Sequence, residues 1–296
     1  MYKKLFHGVL LSLAVSATAQ ADASQSRNAI FKLGWQVGAN THHLTASKAI
    51  IRTTSNDAFL QGKDAHEYMR LSEGHSRFKP DALVVKLKGP KANSVVSFTY
   101  GKTGYIRMDD WENTINPDQI LSVIQKNTRA ANKSRSAGYA KLYVDGWAET
   151  PRLNRKTAVV YWAIRGHSED GRKFINAKAI KLGRKGMSSL IWVGKPGQFL
   201  GAAQNLKPAL EAYRYQSGFR YADFRPSVDK MATVGVGAIA YKMLTGRNSK
   251  ATAAAGAGAI AVILAFVKKL WFLILLPFVW LWKAIRNTVS ARNTSP

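Results

Sequence analysis

Four apolar runs within residues 139–193, each ending in turn chemistry, limit what this chain can fold into. Strands are expected at about 139–149, 157–166, 172–182 and 187–193, separated by "PRLNRK", "SEDG" and "GRKG". Asp170-Gly171 is a tight-turn dipeptide. Successive strands joined by short turns pair antiparallel, so the region reads as a meander. In the second strand Val160, Trp162 and Ile164 share one face, and Val159 and Tyr161 share the other.

The preceding region continues the pattern. In "LVVKLK", Leu83, Val85 and Leu87 alternate with Val84, Lys86 and Lys88, a half-buried strand with a basic outer face. "GPKANS" turns the chain into "VVSFTY", and "GKTG" turns it again into "YIRM". A helix start follows: Asn116 as cap, Pro117 at the first helical position and Gln119 three residues after the cap. Ile120, Leu121 and Ile124 line one face of that helix through about Ala131, and Lys126, Arg129, Lys133 and Arg135 place cations toward its C-terminal end. Further helices are expected at about 203–213 and 228–244. The fold class is therefore α+β: an antiparallel sheet of six or more strands packed on one or two helices, followed by a helical connector and a C-terminal transmembrane helix.

The two ends carry targeting features. Lys3 and Lys4, the apolar run Leu5 to Ser16, and Ala17-Thr18-Ala19 before Gln20 form a secretory signal pattern, with an uncleaved anchor as the alternative. At the other end, residues 253–282 are long enough to span a bilayer together, whereas the halves on either side of Lys268-Lys269 are not. Two central lysines cost roughly 5–7 kcal/mol, and the Leu, Ile, Val and Phe residues between Ile260 and Leu281 return roughly 5–9. Snorkelling lowers the cost further. Trp271, Trp280 and Trp282 are candidate interface anchors, and Lys283, Arg286 and Arg292 form a basic tail. The alternative lays 253–267 along the interface and leaves 270–286 as a short span.

The expected organisation is a signal peptide at 1–19, an exported α+β domain at 20–220, a helical connector at 221–252, an anchor at 253–282 and a cytoplasmic tail at 283–296. That map makes the chain a single-pass membrane protein with its N-terminal domain extracytoplasmic and its C-terminus cytoplasmic.

Charge and composition bear on function. Of the 44 Lys and Arg residues, 37 lie within residues 20–250 with all 17 acids, a net +20. Such a field attracts phosphate-rich or otherwise anionic partners. The absence of cysteine excludes thiolate metal sites, disulfides and Cys nucleophiles. The six histidines, His42-His43 included, show no zinc-type spacing, and no GxSxG elbow is present. No metal or cofactor is expected. "GVGAIA" and "GAGAIA" resemble phosphate loops weakly; both sit in apolar helical runs, where close helix packing is the better reading.

Two acids are the candidates for general acid/base work. Asp110 stands in "MDDWE" with Asp109 and Glu112, and Glu149 stands at a strand end between Trp147 and Pro151. Ion pairing and a strand-end hydrogen bond are the structural readings of the two. The stretches "RLNRKTAVVYWAIR" and "RKFINAKAIKLGRK" interleave aromatics and cations as single-strand binders do, yet the aromatics fit a sheet core and the cations fit turns, so nucleic acid is not the expected partner. Trp147, Arg152, Arg184 and Lys185 are candidate binding residues. Asp223, Asp229 and Lys230 are candidate connector residues.

"GYIRMDDWE", "GWAETPRLNRKTAVVYWAI", "INAKAIKLGRKGM", "RYADF" and "DKMATVGVGAIA" occur in this order before the apolar tail. Together they resemble the bacterial family called domain of unknown function 2167, over about residues 30 to 282. The resemblance implies an exported, periplasmic domain with a C-terminal anchor in a bacterial inner membrane, and it offers no established activity and no assigned catalytic residue to carry over. A Trp-Ala-Glu-Pro-Pro run with a following Tyr-Asp in the family is replaced here by Thr150, Pro151, Arg152, Leu153 and Asn154. The leading expectation is a non-enzymatic envelope protein that contacts membrane lipid through its anchor and whose basic domain binds an anionic surface, such as lipid or an anionic envelope polymer, or another membrane protein. The alternative is an envelope hydrolase using Glu149 or Asp110.

Overall fold

The structure, a computed structural model, describes residues 28–73, 79–87, 95–133, 141–194 and 196–246. The signal pattern, the anchor expected over 253–282 and the basic tail lie outside them. Among the described residues no helix is long and apolar enough to cross a membrane.

Eight strands form one antiparallel sheet. In chain order they are β1 (Gln36–Val37), β4 (Asp57–Gln61), β5 (Ala82–Lys86), β6 (Val95–Gly101), β7 (Leu142–Asn154), β8 (Val159–Ser168), β9 (Lys173–Gly183) and β10 (Gly186–Gly194). Their spatial order is β1-β4-β5-β6-β10-β9-β8-β7. The expected β5–β6 hairpin pairs Leu83 with Ser97 and Val85 with Val95. The expected meander is β7 to β10, with β10 closing against β6. A second sheet, β11-β3-β2, was not legible beforehand; it comprises β2 (Thr41–Leu44), β3 (Ala49–Arg52) and β11 (Tyr213–Tyr215).

The sheet alternation sorts side chains into two cores. One face carries Leu83, Val85, Val160, Trp162, Ile164, Ile180 and Ile191. Against it pack α1 (Gly62–Glu73), α2 (Trp111–Thr114), α3 (Pro117–Lys133) and α5 (Val236–Thr245). The other face carries Phe59, Phe98, Val159, Ala177, Ala179 and Leu190, covered by α4 (Ala202–Ala212) and the small sheet. With both faces covered, central strands lose the polar alternation of a half-exposed sheet. In β9 every residue from Phe174 to Ile180 is buried.

Three expectations need correction. "PRLN" does not turn the chain; it extends β7, whose register shifts repeatedly between Val144 and Arg152. Pro151 is tolerated because β7 is an edge strand, where a missing N–H costs no ladder bond, and bulges discourage further pairing. The turn falls at 155–158. "YIRM" is not a sheet strand. Tyr105 makes an isolated parallel bridge to Met231, and the Tyr105 and Arg107 carbonyls accept N–H bonds from Ala232 at 2.7 Å and Val236 at 2.8 Å. Those bonds hold residues 228–235 out of helical geometry, so the helix expected from 228 begins at Val236. The described part of the connector, 221–246, is thus a 3-10 turn and irregular loop up to Gly235 followed by a helix, and that helix belongs to the core: Val236, Ala238, Ile239, Ala240, Met243 and Leu244 are all buried in it.

Candidate functional site

The two acids singled out from sequence both sit at helix N-termini. Asp110 accepts the N–H groups of Gly237 and Ala238, from Oδ1 and Oδ2 respectively, each at 2.9 Å. It thereby satisfies two donors that the first turn of α5 cannot pair internally, with its charge at the positive end of the helix dipole. A Cβ on Gly235 would lie 2.2 Å from Asp110 Oδ1, and one on Gly237 would lie 2.8 Å from the Asp110 carbonyl oxygen. The glycines of "GVGAIA" therefore admit the 110–114 segment rather than a phosphate. Glu149 accepts the N–H of Ala202 at 2.5 Å, at the start of α4. Since α5 and α4 pack on opposite faces of the large sheet, the structure does not bring Asp110 and Glu149 together. The neighbouring acids are ion-paired: Asp109 with Arg107 at 3.4 Å and Glu112 with Arg155 at 2.6 Å.

Trp147 donates from Nε1 to the Pro117 carbonyl at 3.1 Å and packs on the helix-covered core. Arg152 is exposed on β7 opposite Tyr161. His42 and His43 point to opposite sides of β2. His42 is buried, stacked on Phe59 at 3.7 Å and bonded to Thr53, and burial lowers its pKa; His43 is exposed. Among the described residues no group of three His, Cys, Asp or Glu could hold a metal ion.

Arg184, Lys185, Asp223, Asp229 and Lys230 do converge, at one end of the large sheet. Arg184 donates to Asp229 at 2.6 Å and to the Gly218 carbonyl at 2.9 Å. Asp223 accepts the Arg220 N–H at 2.9 Å and so closes the turn before it. Tyr105 is stacked between Tyr221, at 4.5 Å, and Phe224, at 3.8 Å. The Lys230 carbonyl accepts the Tyr105 N–H at 2.9 Å, and the Lys185 carbonyl accepts the Gly104 N–H at 3.2 Å. Gly104, at φ 88°, is required there, because a Cβ would stand 2.6 Å from the Lys230 oxygen.

This strapping leaves a mixed surface at that end. Lys102, Lys185, Arg225 and Lys230 are exposed, with Lys185 Nζ 5.5 Å from the Phe219 ring centroid. The strap also exposes Val228, at 74%, and Met231, at 40%. Asp229, the acid in the same loop, is spent on Arg184. Sequence reasoning found Arg184, Lys185, Asp229 and Lys230 but not Lys102, Arg225, Val228 or Met231. Their common signal is the pairing of 104–107 with 230–236, which no local pattern reveals.

The helix-covered face of the sheet holds a second unexpected group. Lys178 is 0% exposed, beside the buried polar residues Asn176 and Ser189. The expectation that cations of "RKFINAKAIKLGRK" fall in turns does not hold for Lys178, nor for half-buried Lys181, which donates to the Leu210 and Tyr213 carbonyls at 2.7 Å. Burial pulls the Lys178 amine down to about 7, and burial together with nearby Arg214 pulls Lys181 down to about 8.

A family described as "Protein of unknown function (DUF2167)" matches residues 36–279. No curated protein sequence matches the chain. Among solved structures, the solution structure of cyanobacterial PsbP (CyanoP) from Synechocystis sp. PCC 6803 is similar over 60% of this chain and 93% of that one, at 10% identity and a TM-score of 0.33. A likeness at that level carries no argument.

Proposed function

We propose, from the premise that the chain belongs to the DUF2167 family, that it is a non-enzymatic envelope protein whose folded body binds an anionic lipid surface. In this reading the apolar segment 253–282 crosses the inner membrane once, the described body stands outside, and the short basic tail stands inside. The observation that supports it is the end of the sheet where Lys102, Lys185, Arg225 and Lys230 are exposed together with Val228 and Met231. Each Lys or Arg near an anionic bilayer contributes about 1 kcal/mol, and exposed apolar side chains between them enter the headgroup boundary. The two candidate acids, Asp110 and Glu149, accept N–H groups at helix starts, which leaves the patch as the better-supported site.

The test uses the full chain in lipid nanodiscs with amine-reactive footprinting. Lys102, Lys185 and Lys230 are expected to be protected in discs containing phosphatidylglycerol and labelled in purely zwitterionic discs. High salt and the pair Val228→Asp and Met231→Asp are each expected to restore labelling. Lys48 and Lys207, exposed elsewhere, serve as internal controls. Equal labelling in both disc types overturns the lipid reading and turns attention to an anionic polymer or a membrane protein as the partner.

A further inference from the structure

We propose that Lys178, Asn176 and Ser189 form an internal site for a small anion, with a carboxylate as the ligand class. The proposal stands apart from the surface reading and shares no residue with it. Alternation along β9 places Asn176 and Lys178 on the helix-covered face, and alternation along β10 places Ser189 on the same face. Lys178 pairs directly with Ile191 of β10 and Trp162 of β8. Ser189, two residues from Ile191, is therefore its diagonal neighbour, within reach of a lysine stem.

Among the described residues, none of Lys178 Nζ, Asn176 Nδ2 and Ser189 Oγ has a hydrogen-bond partner. Two are donor-only atoms, and the serine hydroxyl can donate too. A buried ammonium without an acid is costly, and buried polar atoms normally have hydrogen-bond partners, so three unpaired ones on one face call for an acceptor. Their complement is a compact acceptor bearing negative charge. A carboxylate offers two oxygens and about four lone-pair sites, enough for all three donors. It also supplies the countercharge that no ion pair among the described residues brings to Lys178. Around the three stand Ile180, Ile191, Trp162 and Ile164, all 4% exposed or less, so the proposal is confined to the smallest carboxylates.

The test measures the melting temperature of the full chain in detergent against formate and acetate, at constant ionic strength. A bulky sulfonate that cannot enter the interior is the control. Formate and acetate are expected to raise the melting temperature saturably, and the sulfonate is not. Lys178→Met, an apolar substitution of similar length, is expected to abolish the response while keeping the fold. Ser189→Ala keeps the amine and is expected to raise the half-saturating formate concentration several-fold. A response unchanged in Lys178→Met would assign the anions to the basic surface and overturn the proposal. The absence of any formate response in the wild type would leave ordered water as the partner of these groups and equally overturn it.

Discussion

Arg184 and Asp229 form an ion pair across 45 residues of sequence, Nε to Oδ2 at 2.6 Å, with their side chains 10% and 2% exposed. Arg184 belongs to the β9–β10 turn and Asp229 to the strap, so this pair ties the segment leading into α5 to the large sheet. Arg225 N–H adds a second donor to the same Asp229 oxygen at 2.7 Å. Removing one partner of such a pair leaves the other charge sequestered without compensation. Asp229→Ala is therefore expected to lower the melting temperature clearly. Glu112→Ala, which opens the exposed pair with Arg155, is expected to change it little. Thermal unfolding of the two variants side by side is the check.

The same carboxylate has a pH signature. The Arg184 guanidinium beside it holds the Asp229 carboxyl below its ordinary value of 3.8. A depressed acid contributes stability above its unfolded pKa, and that contribution is lost as pH falls through the lower folded value. Acid titration of the wild type is thus expected to show a loss of stability below about pH 3.8 that Asp229→Ala has already forfeited. Identical acid limbs would contradict the assignment.

Asp110→Ala is expected to cost about 1–2 kcal/mol, because two N–H groups of α5 lose their acceptor and the helix loses a charge at its positive end. Urea denaturation gives the value directly. A carboxylate standing free in a cleft would leave stability unchanged when removed. Gly237→Ala is expected to be destabilising as well, by about 1–3 kcal/mol, because its Cβ would press on the Asp110 carbonyl oxygen and on Thr114.

These caps show where sequence reasoning reached and where it stopped. The meander and the β5–β6 hairpin were legible because period-two alternation and turn residues are local signals. The start of α3 was legible for the same reason: Asn116 Oδ1 does accept the Gln119 N–H, at 3.1 Å. Asp110 is separated from Gly237 by 127 residues and Glu149 from Ala202 by 53, so a cap contributed from another element has no local pattern. The strap was misread as helix because its apolar spacing suits one, while the carbonyls of Tyr105 and Arg107 that divert it lie in a different segment. Lys178 departs from the expectation that the cations of its stretch fall in turns, because β9 lies between β8 and β10 with both faces covered.

Gly104→Ala tests the strap at its tightest point. The residue sits at φ 88° and its new methyl would meet the Lys230 carbonyl oxygen at 2.6 Å. The backbone strain and the clash both act on the pairing of Tyr105 with 230–232. Amide hydrogen exchange is expected to accelerate at Tyr105 and Ala232, whose N–H groups donate across that junction. Exchange in the β9–β10 hairpin interior is expected to stay slow. Uniform acceleration throughout the sheet would mean that the strap is not a separable unit.

Lys178→Met is expected to stabilise the protein at neutral pH, which is unusual for a substitution at a fully buried site. The folded amine titrates near 7, whereas in the unfolded chain it takes its ordinary value of 10.5. Above that ordinary value both states are neutral and the residue makes no demand. As pH falls from 10.5 the unfolded state takes up a proton that the folded state refuses, and stability declines until the folded amine protonates near 7. Each unit of lowered pKa corresponds to about 1.4 kcal/mol, so the penalty at neutral pH is on the order of a few kcal/mol. Methionine fills the same volume without a charge and removes the penalty. Urea unfolding of the full chain in detergent across pH 7 to 10.5 is therefore expected to show wild-type stability rising with pH. The rise should be much flatter in Lys178→Met, with a residual slope from Lys181, whose amine is lowered to about 8. Parallel curves for the two proteins would show that Lys178 meets water or an acid in the folded state.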